Sequence, residues 1–260
     1  MENNAITMTY IGGPTALIEM NGVRLLTDPT FDPAGTSYPT AAYTLEKSLS
    51  PGIGPNELGR IDAVLLSHDH HFDNLDHAGR ALLSRAERVF TTIAGGDRLG
   101  PPAIGLAPWQ EATIPTPSGE ELRITATPAR HGPAGGDRGP VIGFVIAPST
   151  QGTGGVYATG DTVWYEGVAE VSRRFPSARA ALLFLGAANV AVAGPAPLTL
   201  TAEDGVEVAR AFPEAALIPV HFEGWAHFTQ GRAEVERAFA AAGLSERLRW
   251  LKPGESAVIA

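Results

Sequence analysis

Residues 65–77, LLSHDHHFDNLDH, hold four of the chain's seven histidines, interleaved with three aspartates. Imidazoles and carboxylates packed so closely compete with one another unless something organises them, and a metal ion does so directly. The run before them, DAVLLS (62–67), reads as a buried strand. Residues i and i+2 of an extended chain point to one side, so His68 and His70 are the expected first pair of ligands. His71 then points elsewhere unless the backbone bulges.

Working outward, three further apolar runs end in ionisable residues. ITATPARH ends in His131, GVYATGD in Asp161 and ALIPVH in His221. Any one of these alone reads as a chain leaving the core for solvent. Together with the first cluster they read as a metal site, because a fold gathers strand ends along one sheet edge.

The composition narrows the chemistry. The chain has no cysteine, so no disulfide framework or thiolate site is available and a metal must be held by His, Asp or Glu. A formal charge of -9 with only 19 Lys and Arg excludes a general nucleic-acid binder. Residues 1–13 lack a basic and then apolar leader, and no run is long enough to span a bilayer, so a cytoplasmic protein without membrane insertion is expected. The 260 residues, 44% hydrophobic, suit one domain over 1–260. Neither a repeat nor a dividing linker interrupts them.

The chain opens as an antiparallel meander, ITMTYIG, TALIEM and VRLLTD, with Asn21-Gly22 as a two-residue hairpin turn. Residues 29–60 are rich in Pro, Gly, Ser and Thr and read as a long excursion, either a flap over the site or a surface loop. Strands are then expected at AVLLS, RVFTTI, LRITATPA, VIGFVIAP, GVYATGD, AALLFLG, ALIPV, RLRWL and SAVIA. Helices are expected at DHAGRALLSRAE and at about 163–175, 202–212 and 232–242. Thr201 and Asp204 form a capping-box-like start for the third of these. The pattern suggests an α/β fold of two sheets covered by helices.

The motifs LLTDP, LLSHDHHFDNLD, PARH, ATGDT and IPVHF, spread over nearly the whole chain, resemble those of the metallo-β-lactamase-fold hydrolases. The resemblance is to the branch containing ascorbate-6-phosphate lactonase and N-acylphosphatidylethanolamine phospholipase D. It implies a four-layer αββα sandwich of two mixed β-sheets flanked by helices, with metals at the edge where the sheets meet. The family's His-x-His-x-Asp-His signature falls on His68, His70, Asp73 and Asn74, with one extra residue between His70 and Asp73 and an amide in place of the last histidine. By the same resemblance His131 completes the first site, Asp161 bridges, His221 serves the second ion, and Asp28 supports the site from behind the ligands. Asn74 offers only a weak amide oxygen, so a weakened second site is expected. Whether His71 compensates or is an exposed loop histidine is left open by the sequence, and His77 reads as surface.

His227, after His221 in HFEGWAHF, is a candidate proton donor or extra ligand, with Trp225 and Phe228 as an apolar wall. Arg130 and Arg138 are candidates for meeting an anionic substrate. The implied cofactor is Zn2+, one or two ions, with Mn2+ or Fe2+ as alternatives. The expected reaction is hydrolysis of an ester, lactone or phosphodiester in a small-molecule substrate by a metal-bound hydroxide, with Asp161 orienting it, Asp73 positioning it and taking its proton, and His227 protonating the leaving group. G-x-S-x-G is absent, so no serine elbow competes. The rival readings are a mononuclear iron, oxygen-dependent enzyme on the same fold and a degenerate, non-catalytic metal-binding domain. A homo-oligomer is compatible with all three.

Overall fold

The Asn21-Gly22 turn forms as its sequence dictates. Both residues take positive φ, 51° and 75°, and Met20 pairs with Val23 across a two-residue loop. The computed structural model describes residues 5–149 and 154–260. Strands β1 (Ile6–Gly12), β2 (Thr15–Met20) and β3 (Val23–Thr27) form the opening meander. A small hairpin follows, β4 (Ser37–Pro39) and β5 (Thr44–Glu46). Next come β6 (Ala63–Leu65), helix α1 (His77–Leu82), β7 (Arg88–Thr92), α2 (Ile93–Leu99), β8 (Ala103–Leu106) and β9 (Glu111–Pro115). The second half runs β10 (Glu121–Pro128), β11 (Ile142–Pro148), β12 (Val156–Ala158), α3 (Glu166–Arg174), β13 (Ala180–Phe184), α4 (Ala202–Ala211), β14 (Ala216–Val220), α5 (Arg232–Ala241) and β15 (Ser256–Val258).

Two mixed sheets result, ordered β15-β1-β2-β3-β6-β7-β8 and β14-β13-β12-β11-β10-β9. Three apolar clusters explain why they stack. Ile6, Met8, Ile18, Leu65 and Phe90 of the first sheet meet Ile124, Phe144, Leu182 and Ile218 of the second. The outer face of the second sheet, with Val145, Tyr157, Leu183 and Leu217, packs on Val168 and Val171 of α3, Val206 and Ala209 of α4, and Val235 and Phe239 of α5. On the outer face of the first, Leu17, Leu26, Val64 and Val89 meet Leu82 of α1. Each sheet therefore buries both faces, and the layers run α, β, β, α as expected.

Several local expectations need correction. The 29–60 excursion is not structureless; it carries the β4–β5 hairpin. RVFTTI stops as a strand at Thr92, whose hydroxyl caps α2 by accepting from the Gly95 amide at 3.0 Å. RLRWL makes only an isolated bridge, Leu217 to Leu248, after a 3-10 turn at Ser245–Arg247. DHAGRALLSRAE is helical only over His77–Leu82, then tightens into a 3-10 turn. β8 and β9 carried no readable period. Among the described residues no helix is long and apolar enough to cross a membrane.

Candidate metal centre

Strands β6, β10, β12 and β14 deliver the ionisable residues, each just beyond its carboxyl end. The last two belong to a parallel set with β13, and β10 runs the same way because β11 is antiparallel to both β10 and β12. Their ends therefore emerge on one edge. Backbone hydrogen bonds tie that edge: Ile142 N donates to Ser67 O at 3.1 Å across the two sheets, and Val163 N to Arg130 O at 2.9 Å between strand ends of the second. His221 sits at φ 56°, and its amide donates to Gly13 O at 2.7 Å. Gly186, at φ 92°, lets the loop after β13 pass under it, since a Cβ there would stand 2.5 Å from His221 O.

Four imidazoles gather: His68, His70 and His71 offer ring nitrogens within 4.8 Å of one another, and His71 also reaches His131. β6 ends at Leu65, so the chain is no longer extended at 68–71 and the i, i+2 rule lapses. His70 is exposed at the rim, with Nε2 2.9 Å from Arg138 O. His71 takes the inner position instead. Its Nδ1 lies 3.0 Å from His68 Nε2 and 3.1 Å from His131 Nε2. The extra residue of the signature thus falls between His68 and His71, and Asp73 and Asn74 follow His71 in the spacing the signature requires. His70 and His71 also edge a cavity of about 280 Å³ with Phe72, Arg80 and Arg98.

The tautomers are set from behind. Ser67 Oγ donates to Asp28 Oδ1 at 2.7 Å, so the contact of 2.9 Å between Ser67 Oγ and His68 Nδ1 has the ring as donor. His131 Nδ1 donates to Leu198 O at 2.8 Å. Both rings therefore turn a lone pair on Nε2 towards His71 Nδ1, which has at most one proton to share between them. Burial pushes the His68 imidazole well below its usual pKa, and burial with His131 nearby takes His71 down to about 3. A pocket of neutral, converging nitrogens suits a cation.

A second group adjoins the first through Asp161, which is fully buried. Its Oδ2 lies 3.6 Å from His131 Nε2 and its Oδ1 3.6 Å from His221 Nε2. Asp73 Oδ2 approaches His221 Nε2 to 3.4 Å and His227 Nε2 to 3.0 Å. Burial alone would lower His221, but Asp161 and Asp73 hold it up to about 9; burial alone would raise Asp73, but His227 and His221 hold it well below the usual range. Asn74 Nδ2 donates to Asp161 Oδ1 at 3.2 Å. Buried Asp161 Oδ2 and His221 Nε2 have no hydrogen-bond partner, which polar atoms tolerate when a cation answers them. The donor sets His68, His70, His71, then His68, His131, Asp161, and Asp73, Asp161, His221 each lie within 4.8 Å. All oxygen and nitrogen, they fit a divalent ion such as zinc.

Asp28 is buried behind the cluster, accepting from Ser67 N at 2.9 Å as well as from the hydroxyl, and burial pushes its carboxyl up to about 8. Arg130 stacks over the Tyr165 ring at 4.5 Å, and Arg138 offers its carbonyl to His70. Phe228 packs on both His221 and His227, 4.6 and 4.7 Å from their ring centres, and Trp225, clustered with Tyr38 and Leu45, meets the His227 ring edge-on at 6.3 Å. His77 is exposed beside Tyr38 and Phe72. Ser67, the Leu198 carbonyl and the Leu185 carbonyl, 3.5 Å from His221 Nδ1, escaped sequence reasoning. Ser67 was findable as the hydroxyl before the first histidine; a carbonyl leaves no trace in residue type.

The geometry has counterparts. The model of the beta-lactamase superfamily domain matches residues 23–222. The UPF0173 metal-dependent hydrolase of Pelotomaculum thermopropionicum is 32% identical over 262 residues, covering 96% of this chain and 98% of its own. The UPF0173 protein YddR of Bacillus subtilis is 26% identical over 263 residues, 96% and 99% of the two chains. Among solved structures, a possible metal-dependent hydrolase from Veillonella parvula aligns over 97% of this chain and 98% of its own, with TM-score 0.82 and 18% identity.

Proposed function

Since the chain belongs to the β-lactamase superfamily and is a metal-dependent hydrolase, we propose that it cleaves an ester, lactone or phosphodiester bond in a small molecule at a two-ion zinc centre. His68, His71, His131 and Asp161 hold the first ion, and Asp73, Asp161 and His221 hold the second. When bound, zinc lowers the pKa of a water to about 7 and polarises the oxygen of the scissile group. The observation carrying this reading is the contact of His71 Nδ1 with two lone-pair-bearing nitrogens at 3.0 and 3.1 Å.

The residues divide the remaining work. Asp161 sits with one oxygen towards each group, so it fixes the spacing of the two charges and orients an attacking water between them. Asp73, flanked by His221 and His227, positions the water and takes up its proton. Asn74 steadies Asp161 through its amide hydrogen. Arg138 and the loop around it close over His70 at the rim, and the 280 Å³ cavity beside His71 has the size for a small substrate group.

Hydrolysis of a panel of lactones, esters and phosphodiesters by zinc-loaded protein, chelator-stripped protein and Asp161→Asn tests the reading. One class should be turned over, chelation should abolish it, and re-added zinc should restore it. Asp161→Asn keeps the shape but loses the bridging charge, so turnover should fall at least a hundredfold, on the order of losing a 3 kcal/mol electrostatic contribution, even when metal is reloaded. Near-normal turnover in Asp161→Asn, or hydrolysis indifferent to metal, overturns it.

A further inference from the structure

The second group has room for a further donor. Asp73, Asp161 and His221 supply three, the number a catalytic zinc keeps beside its water, and a fourth protein donor still leaves a fifth position for that water. Asn74, where the resemblance leads one to expect a histidine, does not supply that donor as it stands. Its Nδ2 donates to Asp161 Oδ1 at 3.2 Å and reaches Ser67 Oγ at 3.5 Å, so its hydrogens and not its oxygen face the carboxylate.

His227 is placed to do so. The loop after β14 returns it to the same carboxylate oxygen that His221 approaches: His227 Nε2 is 3.0 Å and His221 Nε2 3.4 Å from Asp73 Oδ2. Donors at the corners of a zinc tetrahedron with bonds of about 2.0–2.1 Å stand about 3.3–3.4 Å apart. Three of the six edges of such a tetrahedron, His227–Asp73, Asp73–His221 and His221–Asp161, measure 3.0, 3.4 and 3.6 Å. The side chain of His227 is only 11% exposed. Phe228, packed against both His221 and His227, holds the rings in place.

We infer that His227 is the fourth protein ligand of the second ion, standing in for the imidazole that position 74 lacks. The inference rests on the two-ion reading above. Of the two roles the sequence left open for His227, proton donor and extra ligand, it selects the ligand, because a ring nitrogen bonded to a metal has no proton to give.

A crystal structure of the zinc-loaded protein, with zinc counted after dialysis in wild type, His221→Ala and His227→Ala, tests it. The second zinc should lie about 2.0–2.1 Å from His227 Nε2, and both variants should drop from two zinc ions per chain to one. A second zinc retained in His227→Ala, or a water between the ion and His227 Nε2, overturns the inference and leaves the two-ion reading standing. A wild-type chain holding fewer than two ions overturns both.

Discussion

His71 and His70 are neighbours with different surroundings, and the difference comes from where a strand ends. Beyond Leu65 the backbone is free to turn, and it turns His71 inward onto His68 and His131 while His70 meets the Arg138 carbonyl at the surface. Removing the His71 ring therefore leaves the first ion with two imidazoles and one carboxylate. His71→Ala should lose that ion on dialysis against a weak chelator, and His70→Ala should keep it, as read by zinc content per chain. The reverse pattern would return the site to a His68–His70 pair. The sequence announces the cluster plainly, since residue types survive without a fold. It does not announce which imidazole turns inward, because that depends on three or four backbone torsions fixed by Ser67, Asp28 and the loop at 132–139, all contacts across distant parts of the chain.

At the scale of elements, the hairpin β4–β5 shows why the 29–60 excursion could not be read. Its strands have only three residues each, and each buries just its central one, Tyr38 or Leu45. What holds it is tertiary. Lys47 Nζ, buried, pairs with buried Asp76 Oδ2 at 2.8 Å and lies over the Trp225 ring. Asp76 also caps α1 through Gly79 N at 2.8 Å and accepts from Asp32 N at 2.7 Å, while Asp32 accepts from the Tyr38 hydroxyl at 2.7 Å and from the His77 and Ala78 amides at 3.1 Å. Two carboxylates thus stitch the excursion to the start of the helix that follows the histidines. Asp76→Ala strands a buried ammonium and removes a cap, and should cost about 3–5 kcal/mol in urea unfolding. Lys47→Met with Asp76→Asn removes both charges and should recover much of that loss. A loss below about 1 kcal/mol in Asp76→Ala, the range of an exposed pair, would show that the pair is not what fastens the excursion. By contrast the long apolar strands and amphipathic α4 and α5 were legible, because burial on a fixed period writes itself into residue type.

For the whole molecule, the site couples metal to the fold. Its donors lie on four strand ends of two sheets, from His68 to His221, and only the stacked sheets bring them together. The metal-free native state keeps His68 and His71 neutral in a buried pocket and leaves Asp161 Oδ2 and His221 Nε2 unpartnered. An ion that answers these atoms binds the native chain far better than the unfolded one. Free zinc at a hundredfold its dissociation constant should then add about 2.7 kcal/mol to stability. For a chain this size about 1 kcal/mol moves the melting temperature by about 2–4 °C, so the shift expected from thermal scans with zinc and with chelator is on the order of 5–10 °C upward. The gain falls short of the ideal to the extent that His68–Asp69–His70–His71, contiguous in sequence, also grips zinc in the unfolded chain. His131→Ala should separate the two contributions: it spares that local grip but opens the native first site, so the zinc-induced shift should shrink while the metal-free melting temperature stays near that of wild type. An undiminished shift in His131→Ala would mean that the ion is held by the contiguous run alone and that the convergence of strand ends contributes nothing to its binding.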